Sequence, residues 1–301
     1  MNRHYEDLQI GSLEIFCSTV EQGSFTAAAV LAGITPAAVS RSISRIEERL
    51  GVKLFVRTTR QLRVTDEGQN YYYFCRKALD CLVDAENQIS GVQQEPSGVL
   101  RISIPTAYAH FKLLPKLVDF YHQYPKIKLE IHVSNMNVDL IAQEYDLAIR
   151  GNYLADSGLI ARKLEDAALC IVASPDYLQG RNSPQNLEDL KQHECIQFEI
   201  PSTGKSAMWT FKQAEKDISL HVNGRILCRD DYLSTLTLVK SGLGLMQVYR
   251  FTVENELKDG RLIEVLNKYN QTTRPFYLIY PYAKYQPLKL KVLINYLLNL
   301  D

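Results

Sequence analysis

Residues 23–51 read GSFTAAAVLAGITPAAVSRSISRIEERLG, and this stretch holds two helix patterns separated by a short break. Ser24 is a good N-cap for a first helix over residues 25–31. Gly33 can adopt the positive φ that ends such a helix. The stretch therefore predicts one short helix, a tight turn and a second helix.

The second helix has clear boundaries. Thr35 is placed to cap it, Pro36 falls in its first turn, and Gly51 follows its last turn. At about 100° per residue, one face is predicted to collect four apolar side chains: Val39, Ile43, Ile46 and Leu50. This face is expected to pack on the rest of the domain.

The opposite face of this helix combines small residues at its N-terminal end with hydrogen-bond donors further along. It carries Ala37, Ala38, Arg41, Ser44, Arg45 and Glu48. A helix that enters the major groove of DNA needs small side chains near the base edges and Arg or Ser near guanine or phosphate. Ordinary surface helices also carry Arg and Ser, so the helix alone leaves both interpretations open.

The segment LFVRTTRQLRVTDEG, residues 54–68, predicts a short β-hairpin with a basic tip, because apolar and polar residues alternate along it. Although the net charge of the chain is zero, residues 36–65 contain seven basic and two acidic side chains. A helix-turn-helix followed by a basic hairpin is a winged helix-turn-helix. We expect Arg57, Arg60 and Arg63 to contact phosphates or the minor groove, with Ser24 and Thr35 included in the predicted DNA-binding set.

The next segment predicts a long helix that mediates dimerisation. Its apolar residues follow alternating steps of four and three: Tyr71, Cys75, Ala78, Leu82, Ala85, Ile89 and Val92. An amphipathic helix packed on its own domain would show a similar pattern, so that alternative stays open. The segment QQEPSG, residues 93–98, then breaks the helix and predicts a hinge.

The remaining 200 or so residues alternate strand-like and helix-like segments, which predicts an α/β module with a parallel sheet and crossover helices. Two of the predicted helices cover residues 111–124 and VDLIAQEY, residues 138–145. No nucleophile elbow, phosphate-binding loop or HExxH motif is present. We therefore predict no enzyme activity, no cofactor and no metal site.

Composition and cysteine spacing indicate the cellular compartment of the protein and the redox state of its cysteines. No run is long and apolar enough to cross a bilayer, and the N-terminus lacks a signal-peptide pattern, so a cytoplasmic protein without membrane contact is expected. The six cysteines lack chelating spacing and are predicted to be reduced and mostly buried, with redox activity left open. A DNA-acting enzyme and an exported binding protein remain as alternative classes, but the first lacks a catalytic cluster and the second leaves residues 1–92 without a role.

Between residues 13 and 68 the chain resembles the LysR-type transcriptional regulators. The matching stretches are LEIFCSTVEQGSFTAAA, residues 13–29, and ITPAAVSRSISRIEERLGVKLFVRTTRQLRVTDEG, residues 34–68. The resemblance implies a winged helix-turn-helix over residues 1–67, a dimerising linker helix over 68–92 and a hinge over 93–98. It also implies a two-lobe, periplasmic-binding-protein-like effector domain over 99–301. One lobe would comprise residues 99–165 and 267–301, and the other residues 166–266.

The resemblance further implies a sequence-specific transcriptional regulator whose operator binding is modulated by a small-molecule effector. Its partners would be double-stranded DNA with a near-palindromic operator, further copies of the chain in a homodimer or homotetramer, and RNA polymerase when the regulator activates transcription. A two-fold dimer would present two recognition helices to two half-sites.

Ligands of open α/β sheets bind beyond the C-terminal ends of strands, and this rule selects candidate effector contacts. These are Pro105, Thr106, Ala107, Tyr108, Arg150, Gly151, Asp231, Gln247 and Tyr249. Arg150 offers a fork for a carboxylate, so we expect a small organic anion. A salt bridge is an equal alternative for Arg150, and Asp231 is also a plausible helix cap.

Overall fold

The chain forms two compact units, one comprising residues 1–94 and 285–288 and the other residues 95–284 and 289–301. The structure is a computed structural model that describes residues 9–57, 62–90, 95–151, 158–213, 216–283 and 286–300. Each unit has its own hydrophobic core.

The N-terminal unit is a helical domain with one β-hairpin. Its elements are α1 (Ile10–Gln22), α2 (Phe25–Ala32), α3 (Pro36–Leu50), β1 (Phe55–Arg57), β2 (Leu62–Val64) and α4 (Asp66–Ser90). The strands β1 and β2 pair antiparallel. The long helix α4 begins two residues before the predicted linker boundary at residue 68.

Local hydrogen bonds define the starts and ends of the two central helices. The Ser24 hydroxyl accepts from the Ala27 N–H at 3.3 Å, and the Thr35 hydroxyl accepts from the Ala38 N–H at 3.2 Å. Gly33 ends α2 with φ of 65°, which glycine adopts without steric cost. The predicted helix, turn and helix are therefore present.

The core of this unit joins all four helices and the hairpin. Phe16 of α1, Val39 and Ile43 of α3 and Leu79 of α4 are buried together. Among the residues described, no single helix is long and apolar enough to cross a bilayer. By length and composition alone, α2 and α3 pass that test when they are counted together, although they are bent by 105°.

The second unit is an α/β domain. Its first part contains β3 (Gly98–Ile104), α5 (Thr106–Tyr108), α6 (Leu117–Gln123), β4 (Ile127–Val133), β5 (Leu147–Gly151), β6 (Leu159–Ala173) and α7 (Pro175–Leu178). Then follow β7 (Gln197–Ile200), β8 (Lys205–Ser206), β9 (Trp209–Gln213), β10 (Lys216–Leu220), β11 (Leu227–Cys228) and α8 (Tyr232–Lys240). The last elements are β12 (Met246–Tyr249), α9 (Glu254–Lys258), β13 (Ile263–Val265), β14 (Thr273–Pro281) and α10 (Leu288–Leu298).

The described residues include a seven-stranded mixed sheet in which β6 connects two lobes. The strand order is β12-β6-β14-β5-β3-β4, and β13 also pairs with β6. Residues 159–168 of β6 pair with β14 in the first lobe, whereas residues 169–173 pair with β12 and β13 in the second lobe. The chain therefore passes between lobes along β6 and returns just before β14.

Three predictions for this domain were wrong in detail. Only β3, β4 and β5 pair in parallel in this sheet, and the strands around β6 and β14 pair antiparallel. The helix predicted for residues 111–124 is broken into a π-helical turn, a 3-10 turn and α6, because Pro115 cannot continue a regular helix. VDLIAQEY forms a turn instead of a helix, because the Asp139 carboxylate accepts from two nearby backbone N–H groups and Glu144 has φ of 60°.

The six cysteines are all free thiols. Cys17, Cys75, Cys170 and Cys195 are buried, Cys228 is half-buried and Cys81 is exposed. Burial raises the pKa of Cys17, Cys170 and Cys195 to about 12, which keeps these thiols protonated at neutral pH.

Candidate functional site

The helix α3 presents a polar face to solvent. Ala37, Arg41 and Arg45 are exposed, and Ala38 and Ser44 are half-buried beside them. The small residues lie at the N-terminal end and the arginines follow one turn later. Small residues followed by exposed hydrogen-bond donors are the chemistry that a helix in the major groove requires.

The inner face of α3 differs from the predicted one at its C-terminal end. Leu50 is 38% exposed, whereas Glu47 is only 8% exposed. The Glu47 carboxylate accepts from the backbone N–H groups of Leu54 at 3.0 Å and Phe55 at 3.3 Å, and from the Lys53 ammonium at 2.5 Å. A buried carboxylate with three donors can replace an apolar side chain, because its desolvation is offset by charge-assisted hydrogen bonds.

These contacts also set the ionisation of Glu47. Burial alone would raise the pKa of Glu47, but the Lys53 hydrogen bond and the two backbone donors outweigh burial and hold the pKa below its usual value. Glu47 therefore stays ionised and anchors the start of β1 to α3.

The hairpin β1-β2 supplies the wing. Arg63 pairs across the hairpin with Val56 and its side chain is exposed. Arg60, at the predicted tip, lies outside the described residues, as does the side chain of Arg57. The described part of the wing therefore adds one exposed cation to those of α3.

A cavity of about 450 Å³ lies in the second unit at the C-terminal ends of β3 and β5 of the first lobe and of β12 of the second lobe. From the first lobe it is lined by Pro105, Ala107, Asn135, Asn137, Arg150, Gly151, Arg274 and Phe276. From the second lobe its described lining includes Ile196, Phe198, Met208, Trp209, Tyr232, Met246, Gln247 and Tyr249. Such a size and such apolar walls with a few polar groups are typical of small-molecule sites.

Arg150 dominates the polar wall of the cavity. Its side chain is 7% exposed, and its four Nη hydrogens are donated to Ser103 O, Ser103 Oγ, Ile149 O and Met136 O at 2.6–3.1 Å. Burial lowers the pKa of Arg150 to about 10, so the guanidinium remains protonated at neutral pH. No carboxylate among the described residues pairs with it, and its Nε is buried without a hydrogen-bond partner.

Two side-chain amides shape the cavity. Asn135 accepts from the Thr106 N–H at 3.0 Å and donates to the Thr106 hydroxyl at 3.0 Å and to Asp230 O at 2.7 Å, thereby connecting the two lobes. Gln247 accepts from the Thr210 N–H at 2.9 Å and donates to Thr210 O at 2.7 Å. Both side-chain amides therefore use their hydrogen bonds to connect segments of the cavity wall.

The described ranges contain no group of three His, Cys, Asp or Glu side chains that could hold a metal ion.

Comparison with known proteins identifies both units. The family model described as a bacterial regulatory helix-turn-helix protein of the lysR family matches residues 10–69, and the LysR substrate binding domain matches residues 93–300. The chain belongs to the LysR-type transcriptional regulator family.

Individual relatives cover nearly the whole chain. The HTH-type transcriptional regulator CrgA of Neisseria meningitidis serogroup C is 35% identical over 291 residues, which is 95% of both chains. The solved structure of CrgA covers 96% of this chain and 97% of its own, with a TM-score of 0.62 and 33% identity. Full-length AphB, a virulence activator of Vibrio cholerae, is 27% identical with a TM-score of 0.60 and covers 96% of this chain and 98% of its own.

This LysR-type regulator is therefore a DNA-binding transcription regulator with a helix-turn-helix domain, a linker helix and an α/β effector-binding domain, and not an enzyme. The family and the fold class were correctly predicted from the sequence.

The predicted effector residues divide into two groups. Those that line the cavity are Pro105, Ala107, Arg150, Gly151, Gln247 and Tyr249. Thr106, Tyr108 and Asp231 are not among the residues that line it. Tyr108 packs against Phe276 in an aromatic cluster, and Asp231 caps α8 by accepting from Leu233 and Ser234 N–H groups.

Two expectations for Arg150 are also changed by its surroundings. The open fork is not available, because carbonyl and hydroxyl oxygens already occupy both Nη groups. The alternative salt bridge is not found among the described carboxylates.

The predicted dimerisation residues also differ in exposure. Cys75 is buried and Tyr71 is half-buried against the core of their own domain, where the Tyr71 hydroxyl accepts from Arg49 at 2.9 Å. Ala78, Leu82 and Ala85 are exposed. Val92 and the side chain of Ile89 lie outside what the structure describes.

Several cavity residues were not predicted, including Asn135, Phe198, Trp209, Tyr232 and Arg274. Most of them belong to elements that are distant in sequence from the strand ends used for the prediction. Arg274 lies at the start of β14, where strand-end rules give no signal.

Proposed function

We propose that this regulator binds a near-palindromic operator through α3 and the wing, and that a small organic anion in the cavity modulates this binding. The observation that carries the proposal is the Arg150 guanidinium, a buried positive charge in the wall of a largely apolar cavity with no described carboxylate beside it. Burying an unpaired charge is costly, and an anionic ligand with an apolar body offsets that cost.

Two sets of side chains perform DNA recognition in this proposal. Ala37, Ala38, Arg41, Ser44 and Arg45 face the major groove, and their exposure along one side of α3 supports this role. Arg57, Arg60 and Arg63 anchor the wing to the DNA backbone. Ser24 and Thr35 contribute as the N-caps that place the ends of α2 and α3.

Operator titrations at several salt concentrations test the DNA interface. Replacement of Arg41 by Ala should cost about 1–3 kcal/mol and alter sequence preference, because a base contact is lost. Replacement of Arg60 or Arg63 by Ala should weaken binding to all sequences and lower the salt slope by about one unit, because a phosphate contact is lost.

Arg261→Ala in the effector domain is the control, since it removes the same charge from an exposed position outside the N-terminal unit. Unchanged affinity and salt dependence in the Arg41, Arg60 and Arg63 variants would contradict the assignment.

Calorimetry with pairs of carboxylates and their neutral amides tests the effector. We expect heat of binding from a carboxylate but not from the amide of the same shape, and a change in operator affinity when the carboxylate is present. Binding of amides and acids with equal affinity would contradict an anionic effector.

We propose a homodimer or homotetramer assembled through the exposed residues of α4, located in the cytoplasm. Contact with RNA polymerase when the regulator activates transcription is part of the same proposal.

A further inference from the structure

Two arginines line the cavity, Arg150 and Arg274, and they differ in how many of their hydrogen-bond donors the protein already uses. This inference rests on the proposed function, because it concerns the contact that the effector's anionic group makes. Among the described lining residues, Arg150 and Arg274 are the cations, and no Asp or Glu is found there.

Arg150 has already committed both of its Nη groups to the protein, which leaves a single buried donor, Nε–H, without a partner among the described residues. Its Nη groups bind oxygens of Ser103, Ile149 and Met136, which join β3, β5 and the loop after β4. A ligand could claim these donors only by breaking those contacts. Because the acceptors are uncharged, however, the positive charge of Arg150 still acts on the cavity.

Arg274 has N–H donors that make no hydrogen bond to the described part of the protein. It is partly exposed at the start of β14, and its one described hydrogen bond runs from Nη2 to Met208 O at 2.9 Å. A guanidinium carries five N–H donors in a fork that matches a carboxylate. The remaining donors of Arg274 are therefore free to bind an anion within the part of the chain that the structure describes.

We propose that Arg274 is the side chain that binds the anionic group of the effector, while Arg150 acts as a fixed positive charge behind the cavity wall. The alternative role for Arg274 is purely structural, as a clip that holds Met208 in place. The two roles differ in whether Arg274 attracts anions, and this can be measured without knowing the effector.

Trp209 is the reporter for this measurement. It is the single tryptophan of the chain, it lines the cavity, and it directly follows the residue whose carbonyl Arg274 binds. Iodide is an anionic quencher of tryptophan fluorescence and acrylamide is a neutral one that also reaches buried indoles such as Trp209, which is 4% exposed. The ratio of the iodide constant to the acrylamide constant therefore reports local anion attraction, corrected for access.

The experiment compares the full-length parent with Arg274→Gln, Arg274→Lys and Arg261→Gln. In Arg274→Gln the ratio should fall by about twofold or more, because one unit charge near the indole is removed. Arg274→Lys should keep most of the parental ratio. Arg261→Gln, which removes the same charge at a side chain 59% exposed outside the cavity, should keep all of it.

A ratio that is equal in the parent and in Arg274→Gln overturns the proposal. An unchanged acrylamide constant in Arg274→Gln shows that the cavity wall has kept its structure. If acrylamide quenching rises sharply in both Arg274 variants, the structural role is the correct one.

Operator binding in the presence of organic acids separates this inference from the proposed function. If Arg274→Gln lowers anion attraction but no organic acid alters operator binding by the parent, the anion site stands and its regulatory role fails. If organic acids alter operator binding equally in the parent and in Arg274→Gln, the regulatory role stands and the assignment of Arg274 fails.

Discussion

Gly68 is the residue where the wing meets the first turn of α4. A Cβ at this position would lie 2.2 Å from Leu54 O and 2.8 Å from Val64 Cγ2. We predict that Gly68→Ala lowers the free energy of unfolding by about 1–3 kcal/mol, because the hairpin backbone has to move away. Thermal unfolding followed by circular dichroism measures this loss.

Gly11 provides a matched control for Gly68. It also lies in the first turn of a helix, and a Cβ there would meet no atom within 4 Å. Gly11→Ala should leave stability unchanged or raise it by up to about 1 kcal/mol, because alanine favours the helix. Equal losses in both variants would show that close contact at Gly68 is not the cause.

Glu47 makes the stability of the N-terminal unit depend on pH. Its folded pKa lies below the usual value, so its contribution is present above the unfolded pKa and is lost as pH falls through the folded pKa. We predict that Glu47→Gln costs about 1–3 kcal/mol at neutral pH, because buried N–H donors lose a charged acceptor. The difference from the parent should shrink when the pH is lowered from 6 to 3.

The neighbouring Glu48 is exposed and serves as the control. Glu48→Gln should change the free energy of unfolding by less than about 0.5 kcal/mol over the same pH range. If the difference between the parent and Glu47→Gln were independent of pH, the carboxylate would not be the group responsible.

At the scale of elements, α4 has one face packed on its own domain and another face that is exposed. One face packs on its own domain through Tyr72, Cys75 and Leu79. Another carries exposed apolar or small side chains in one stripe, hereafter the α4 stripe: Phe74, Ala78, Cys81, Leu82 and Ala85. The packed face agrees with the alternative of a helix packed on its own domain, and dimerisation through the α4 stripe stays a prediction.

We predict that Leu82→Asp weakens association of the chain, because it puts an unpaired charge into an apolar contact at a cost of several kcal/mol, roughly 2 or more. Leu82 is 46% exposed in the single chain, so its replacement should leave the domain core intact. Sedimentation should detect smaller species, and operator binding should fall.

Val83→Asp is the control for this prediction. Val83 is 45% exposed, but it lies about 100° further around the helix, away from the α4 stripe. It should keep the parental mass. A Leu82→Asp variant that sediments like the parent would exclude the α4 stripe as the association surface.

At the scale of the whole effector domain, β6 and Asn135 hold the two lobes together. β6 belongs to both lobes, and the Asn135 amide binds Thr106 in one lobe and Asp230 in the other. We predict that Asn135→Ala lowers the free energy of unfolding of this domain by about 1–3 kcal/mol, because Thr106 and Asp230 lose hydrogen-bond partners. Urea unfolding followed by Trp209 fluorescence reports on this unit.

Asn137 lines the same cavity and is exposed, so Asn137→Ala is the control. Its unfolding midpoint should stay within the error of the parent. Equal midpoints for both variants would mean that the Asn135 contacts between lobes contribute nothing to stability.

Sequence alone determined the N-terminal domain almost completely. Its helix caps, turn glycine and hairpin are local features, whose stability depends on residues a few positions apart. The family and the fold class followed from the same motifs. Where periodicity failed, at Leu50 and Glu47, a hydrogen-bonded carboxylate had replaced an apolar side chain, which a hydrophobic pattern cannot register.

The tertiary structure alone decided which residues line the cavity and which hydrogen-bond donors of its two arginines are already used. The cavity brings together residues from Pro105 to Phe276, and no local pattern records which distant elements meet. Arg150 was predicted to bind either a carboxylate ligand or a nearby Asp or Glu, but its Nη donors are used by oxygens from three separate segments. Arg274 was not predicted, because a cation at the start of a strand has no local sequence signal for ligand binding. Only the folded chain places it in the wall of a cavity.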